Sequence, residues 1–363
     1  MDVLVIGSGL AGAGVAWALA RSGRCRTLTI LETETSPGQH ASSQNAAMIR
    51  QIEEDPAVQP LAAEGAARLR AQPSDWLDEV PFRRVGSLLV AAGPSWLATR
   101  EVARLARSWG VHSEAVTRAA AIALVPQLDG AQIDGAIWSP DDGVVDVHAL
   151  LRTLLDTAAH NGATLLFDRR VTGLIVRGGG VRGAVTTRGS VEADVVVNAA
   201  GAWAATVGAM AGSNLPIRPL RRHLHVSEPL PTLRAGQPLV WDVSRGAYFR
   251  PESGGLLMCA CDESPAEPGV PLIDPAMDDR LAAHMTSCFP ALAQIGLRRR
   301  WAGLRSFAPD RRFVLGEDAR GLFWAAGLGG HGVTTCTAVG RLLAEAILDG
   351  TPIAAALHVR RLG

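Results

Sequence analysis

Asp2-Val3-Leu4-Val5-Ile6-Gly7-Ser8-Gly9-Leu10-Ala11-Gly12 is the stretch that decides the fold. Its first five residues form a short apolar run ending in glycine, the pattern of a parallel strand buried on both faces. Leu10 to Arg21 is rich in alanine and predicts a helix. Arg26 to Leu31 is again apolar and β-branched, and it ends on Glu32. Strand, helix and strand together span about the 30 residues of a βαβ unit. Gly7 permits the tight turn, Gly9 lets backbone approach a pyrophosphate, and Gly12 lets the helix pack close to the strand. The phosphates then sit at the positive helix N-terminus. Glu32 stands 20 residues beyond Gly12, where a carboxylate accepts hydrogen bonds from a ribose diol. The unit predicts an α/β fold with a Rossmann-like dinucleotide site, and the acid favours an adenosine ribose without a 2′-phosphate.

Outward from this unit two textures alternate. Segments 1–80, 145–215 and 306–363 read as one discontinuous α/β domain. Segments 81–144 and 216–305 read as a second domain on a mixed β-sheet. Asp146 caps a helix over Val147–His160, Gly178-Gly179-Gly180 marks a hairpin turn, and a long final helix runs from Gly332 to Leu348. Two further glycine signatures belong to the α/β texture. Asn198-Ala199-Ala200-Gly201-Ala202-Trp203 closes a strand, and Gly327-Leu328-Gly329-Gly330-His331-Gly332 opens the final helix. Three such sites spread along the whole chain suit a long, stretched cofactor, FAD rather than NAD. The final helix N-terminus would stabilise negative charge on a reduced flavin.

Composition removes several chemistries. The 363 residues carry 35 basic and 35 acidic side chains, and every basic one is arginine. Without lysine there is no Schiff-base or pyridoxal-phosphate chemistry and no Walker-type P-loop. The neutral balance gives no footprint for nucleic acid. Cys25, Cys259, Cys261, Cys288 and Cys336 form no zinc spacing and no CxxC pair, so no metal site is expected and the thiols read as reduced, as in a cytoplasmic protein. No basic segment precedes the first strand, which argues against a signal peptide, and no apolar run reaches the ~18 residues of a membrane span.

The glycine turn, Glu32, the segment Gly38–Ala47, Asn198–Trp203 and Gly327–Gly332 together resemble the FAD-dependent amino-acid and amine oxidoreductases of the D-amino acid oxidase, glycine oxidase and sarcosine oxidase superfamily. The resemblance runs from Asp2 to about Leu348. Within that group the chain is similar to the bacterial D-arginine dehydrogenases at Arg221-Arg222, Tyr248, Trp301–Phe307 and Gly329-Gly330. It implies a non-covalent FAD under a sheet-based roof. It places cofactor contacts at Gly7, Gly9, Ala11, Gly12, Glu32 and Thr33. Others fall at Ala41, Ser42, Ser43, Asn45, Ala46, Ala47 and Met48, and at Val171, Ala200, Gly201 and Trp203. A last group is Gly329, Gly330, His331, Gly332, Val333 and Thr334.

The resemblance further implies that Arg222, Arg305 and Tyr248 hold a substrate carboxylate and that the Gly330 carbonyl receives the substrate amine. Arginine suits the task because its planar fork matches a carboxylate. Arg221 and Arg222 face opposite sides of a strand, and Arg222 is expected inward. The implied reaction is hydride transfer from Cα–H to flavin N5, with the imine hydrolysing to a keto acid. Three positions depart from the D-arginine dehydrogenases: Met48 replaces histidine, Glu53 replaces tyrosine, and Ser87 replaces the glutamate that meets a guanidinium. Met48 makes the pocket more apolar. Glu53 and Glu54 read as a solvated helix start, with Glu53, or the neighbouring Glu54, the residual candidate for a cationic group. In His331 the backbone is expected to matter more than the ring.

These departures favour a neutral or hydrophobic amino acid, of D configuration on the resemblance, or a small secondary amine. Two rivals stay open. One is a 2-hydroxy-acid dehydrogenase in which Arg50 holds a second carboxylate; the other is a non-catalytic flavoprotein subunit. Sarcosine-oxidase-like members use a lysine near the flavin to reduce oxygen. Its absence here inclines the reading toward a dehydrogenase feeding a carrier, with the acceptor itself undefined.

Overall fold

The computed structural model describes all residues, 1–363. A six-stranded sheet has the order Val314–Glu317, Leu322–Ala326, Val195–Asn198, Asp2–Ile6, Thr27–Leu31, Thr164–Leu166. Its pairings are parallel except the outermost, between Val314–Glu317 and Leu322–Ala326. The quoted strand lies in the middle, buried from Val3 to Ile6. That accounts for its unbroken apolar run, since helices cover one face and a three-stranded sheet with a short helix covers the other.

Helix Leu10–Ala20 follows the strand and is buried almost all round. It crosses the C-terminal helix Gly332–Asp349 where both carry glycine. A Cβ at Gly14 would lie 2.2 Å from the Cys336 carbonyl oxygen, and one at Gly340 would lie 2.0 Å from that of Gly14. A third helix, Gln59–Arg70, comes as close: a Cβ at Gly65 would stand 1.8 Å from the Thr334 carbonyl oxygen. Backbone against backbone in this way, the other two helices hold the start of the C-terminal helix in place. No helix is long and apolar enough to cross a membrane.

A nine-stranded sheet roofs this layer. Its order is Glu114–Thr117, Gly135–Ser139, Ser87–Ala91, Leu239–Asp242, Ala247–Glu252, Gly255–Cys259, Arg218–Ser227, Ser264–Pro265, and the long strand Leu297–Phe307 pairs with Arg218–Ser227 along its other edge. Only Ser87–Ala91 with Leu239–Asp242 is parallel. One face is apolar: Leu88, Val240, Phe249 and Met258 pack on Leu281 and Met285 of helix Ala276–Cys288. Because side chains alternate, the other face carries Trp241, Tyr248 and Leu224. Three short strands, Met48–Ile49, Phe82–Arg83 and Gly143–Val145, join the two layers.

The hairpin of Val171–Arg177 and Gly180–Thr186 turns at Gly178 and Gly179, both at positive φ. Helix Val147–His160 is capped by Asp146, whose carboxylate accepts from the Ala149 amide at 2.9 Å. Both match the sequence expectation.

Candidate active site

A cavity of about 580 Å³ opens beside the first glycine turn. Gly7 sits at φ +102°, and a Cβ there would lie 2.5 Å from the Ala199 carbonyl oxygen. A Cβ at Gly12 would lie 1.9 Å from the Gly7 carbonyl oxygen. The turn is thus pressed between strand and helix. Gly9 meets only the Ser42 hydroxyl, and it leaves backbone facing the cavity. The Ser42 hydroxyl accepts from the Leu10 amide at 2.9 Å. Glu32 accepts from the Ser8 amide at 2.9 Å and the Ser8 hydroxyl at 2.6 Å.

Thr33, Ala41, Val171, Ala200, Gly201 and Trp203 share this wall. His40 does too, with its Nε2 2.9 Å from Glu34 and its ring edge-on to Trp203 at 4.7 Å. Of the expected contacts, Ala11, Gly12, Ser43, Gly329 and Gly332 border neither this cavity nor the one beyond it. Ser43 is exposed and donates back to the His40 carbonyl, which turns it away. Ala11 packs against the core behind the turn.

A second cavity of about 240 Å³ continues along the same chain segment. Residues 38–42 and Gln44 border the first cavity and Asn45, Ala46, Ala47 and Met48 the second. Asn45 fixes the bend between them. Its amide nitrogen donates to the Ala41 and Ser42 carbonyls, and its carbonyl oxygen accepts from the Ala47 amide at 2.8 Å. Ala47 is thereby held at φ +55°, a conformation that alanine seldom adopts. Gly330, His331, Val333 and Thr334 close the far side. Gly329, at φ +55°, packs against Phe307.

The roof supplies charge. Arg222 and Arg305 lie on neighbouring strands, where Arg222 pairs with Gly303 and Leu220 with Arg305. The two are a diagonal pair on one face, and both line the cavity. Arg222 is buried, as expected. It donates to the Asp262 carbonyl at 2.7 Å and to Glu263 Oε1 at 2.7 Å. Arg221 points the other way, to Leu272 and Asp274. Glu263 also receives Arg311, and these cations outweigh burial and hold its carboxyl below the usual range.

Arg305 makes a single polar contact, with the Tyr248 hydroxyl at 3.5 Å. A Cβ at Gly330 would stand 2.8 Å from Arg305 Nη1, so the guanidinium lies close against the Gly330 backbone. Tyr248 departs from the expectation. It is fully buried and stands behind the cavity wall, stacked on Trp241 at 4.7 Å. Burial pushes its phenol above the ordinary tyrosine range.

The floor differs more. Ser87 does not line the cavity. It is buried, and its hydroxyl donates to Asp142 at 2.6 Å. Glu53 is not solvated: its side chain is 5% exposed, with Oε1 2.9 Å from His331 Nδ1 and Oε2 3.4 Å from Arg50. Burial alone would raise the Glu53 carboxyl, but His331 and Arg50 outweigh it and hold the group below its ordinary value. Arg50 lies over the Trp241 ring at 4.4 Å. His331 therefore contributes its ring as well as its backbone.

A family model described as FAD dependent oxidoreductase, DAO, matches residues 2–346. The chain belongs to the DAO family. Over 96% of its length it is 30% identical to 4-methylaminobutanoate oxidase (formaldehyde-forming) of Paenarthrobacter nicotinovorans, of which it spans 44%. It is also 30% identical to the glycine oxidase of Geobacillus kaustophilus, with 98% of that protein covered. Among solved structures, L-proline dehydrogenase from P. horikoshii superimposes with a TM-score of 0.88 at 25% identity, over 99% of this chain and 97% of that one. The chain thus spans under half of the first relative and nearly all of the other two.

The residues present fit the family's cofactor. Gly9 leaves the room that a pyrophosphate needs beside a helix N-terminus, Glu32 faces the same cavity, and the bend at Asn45 links it to the second. FAD would be held along 32–48 and 330–334, and when bound it supplies a two-electron acceptor. Trp241, Glu263, Cys261 and Phe307 also line the second cavity of this DAO-family chain, and sequence reasoning missed them. Trp241 faces Tyr248 across a strand pair, so knowing the register would have found it. Glu263 and Cys261 sit in a loop with no motif.

Proposed function

We propose that the chain oxidises the Cα–N bond of a small, neutral amino acid or N-alkyl amino acid, with FAD as the electron acceptor. The observation that carries this reading is Arg305: a cavity-lining guanidinium with one weak protein contact, beside Gly330 and the start of the C-terminal helix. Arg222 already serves Asp262 and Glu263, so Arg305 leads in receiving a substrate carboxylate and Arg222 supports it. Gly330 offers its carbonyl to the substrate nitrogen.

The neutral side chain is argued from charge. Both cavity carboxylates, Glu53 and Glu263, are paired with cations, and Ser87 is withdrawn to Asp142. No free acid awaits a guanidinium, while Met48, Trp241 and Phe307 offer apolar surface. The relatives' names are consistent, since they act on glycine, proline and an N-methylated amino acid. The lack of lysine supports transfer of electrons to a carrier.

Anaerobic flavin bleaching tests this. The panel is glycine, sarcosine, both enantiomers of alanine and proline, D-arginine, lactate and 2-hydroxyglutarate. Fastest bleaching by a neutral amino acid is expected, and the enantiomer pairs decide the D configuration taken from the resemblance. Fastest bleaching by D-arginine or by a hydroxy acid sinks the substrate reading, and none by any compound favours a non-catalytic subunit.

A further inference from the structure

His331 and Glu53 are 278 residues apart in sequence, yet they meet on the floor of the second cavity. His331 Nδ1 lies 2.9 Å from Glu53 Oε1. The Glu53 backbone is fixed from behind. The Glu53 amide donates to Gln59 Oε1 at 3.0 Å, and Gln59 Nε2 donates to the Gln51 carbonyl at 2.8 Å. The histidine is fixed through its backbone, whose carbonyl accepts from the Thr335 amide and hydroxyl at 3.0 and 2.9 Å. The His331 side chain is 31% exposed, and its Nε2 has no protein partner. Its neighbour Gly330 touches Arg305. A carboxylate on Nδ1 orients an imidazole and leaves the other nitrogen as a proton acceptor.

The reaction of the proposed function needs such an acceptor. An amino acid arrives as a zwitterion, and its ammonium has no lone pair to assist departure of the Cα hydride. One proton must leave nitrogen first. We propose that His331, oriented by Glu53, takes that proton on Nε2. This rests on the amine-oxidation reading. The N–H bond breaks and the freed pair stays on nitrogen. The Nε2–H bond forms, and the proton later passes to water. The two electrons that leave with the Cα hydride are taken by FAD, so no other oxidant is involved.

The charges facing the imidazole are Glu53 on the strand-to-helix loop and Arg50 beyond it. Arg305 and Arg222 face it from the roof, with Glu263 neutralising part of Arg222. A purely structural pair would tie residues 50–55 to the C-terminal helix without any effect on proton transfer.

The test uses the FAD-loaded protein and the best amino acid of the panel. In stopped flow, the limiting rate of flavin reduction by wild type is expected to rise along a limb as pH increases. In His331→Gln that limb disappears. The rate at pH 7 falls on the order of 100-fold and recovers at the higher pH where the amine ionises unaided. Glu53→Gln, which leaves the imidazole unoriented, lowers the limiting rate without removing the limb.

Ring ¹⁵N shifts give a second readout. Wild-type His331 is expected with the proton on Nδ1, a preference that Glu53→Gln weakens. If His331→Gln keeps the wild-type pH profile while amines still bleach the flavin, the proposal falls alone. Should only hydroxy acids bleach it, the underlying reading falls too.

Discussion

The two cavities sit end to end on one chain segment and are built in opposite ways. The first is made of backbone. Its decisive features are Gly7, Gly9 and Gly12, a helix N-terminus, and one carboxylate. The second is made of side chains from distant segments: Arg50 and Glu53, Arg222, Trp241, Arg305 and His331. Backbone geometry follows from a contiguous motif, and it recognises what does not vary, the phosphates and ribose of a cofactor. Side-chain constellations depend on register and on long loops, and they recognise what does vary. The first region should tolerate pH and lose cofactor when broken; the second should be sensitive to charge and lose substrate.

The largest effect that separates the two is expected from Arg305→Met. Removing the least engaged cation of the roof should lower kcat/KM by about 1000-fold, roughly 4 kcal/mol, with the bound-flavin spectrum unchanged. Loss of flavin in parallel would mean that the cavities are not separable.

Next is Asp142, which is fully buried and accepts from Gln51 and Ser87. Burial raises its carboxyl from the ordinary 3.8 to about 6. The folded-state value lies above the unfolded one, so folding is favoured fully below about pH 4, and that advantage is lost as pH rises through 6. The loss is on the order of 3 kcal/mol. Asp142→Asn should therefore raise Tm at pH 8, give no gain at pH 4, and flatten the profile between. A Tm difference that is the same at both pH values would contradict this.

A smaller effect belongs to the first region. Glu32→Gln removes the charge of the proposed ribose acceptor and should weaken FAD binding roughly 10-fold, about 1.4 kcal/mol. In protein saturated with FAD, kcat/KM for the amino acid should stay within twofold. Equilibrium dialysis against FAD reads the first quantity and steady-state assays the second.

The sequence made the first region legible almost to the residue, because strand, glycines and acid lie within 31 consecutive positions, Asp2 to Glu32. Ser43 was misplaced since a turn of serines gives no sign of which one faces inward. In the second region strand alternation set Arg222 and Arg221 on opposite sides, and the resemblance chose Arg222 as the inward one. Tyr248, Ser87 and Glu53 did not follow. Ser87 was captured by Asp142, 55 residues on. Glu53 looked solvated beside Glu54 until the C-terminal helix delivered His331 to it. Both outcomes depend on which loops meet, and local pattern carries none of that information.

Tyr248 tests the comparison most finely. As the single tyrosine of the chain, it was expected to touch the substrate, yet it lies behind the wall with its hydroxyl 3.5 Å from Arg305. That distance is at the outer limit of a hydrogen bond, so the phenol steers the guanidinium and contributes little energy itself. Tyr248→Phe keeps the ring and its stack on Trp241 and removes only the oxygen. KM for the amino acid should rise about threefold to fivefold, near 1 kcal/mol, with kcat and the flavin spectrum little changed. Because the phenol acts through Arg305, the two losses should not add. In an Arg305→Met background, Tyr248→Phe should have almost no further effect on KM. Full additivity would mean that the phenol reaches the substrate directly once the cavity is occupied, and that the wall moves by the width of a side chain on binding.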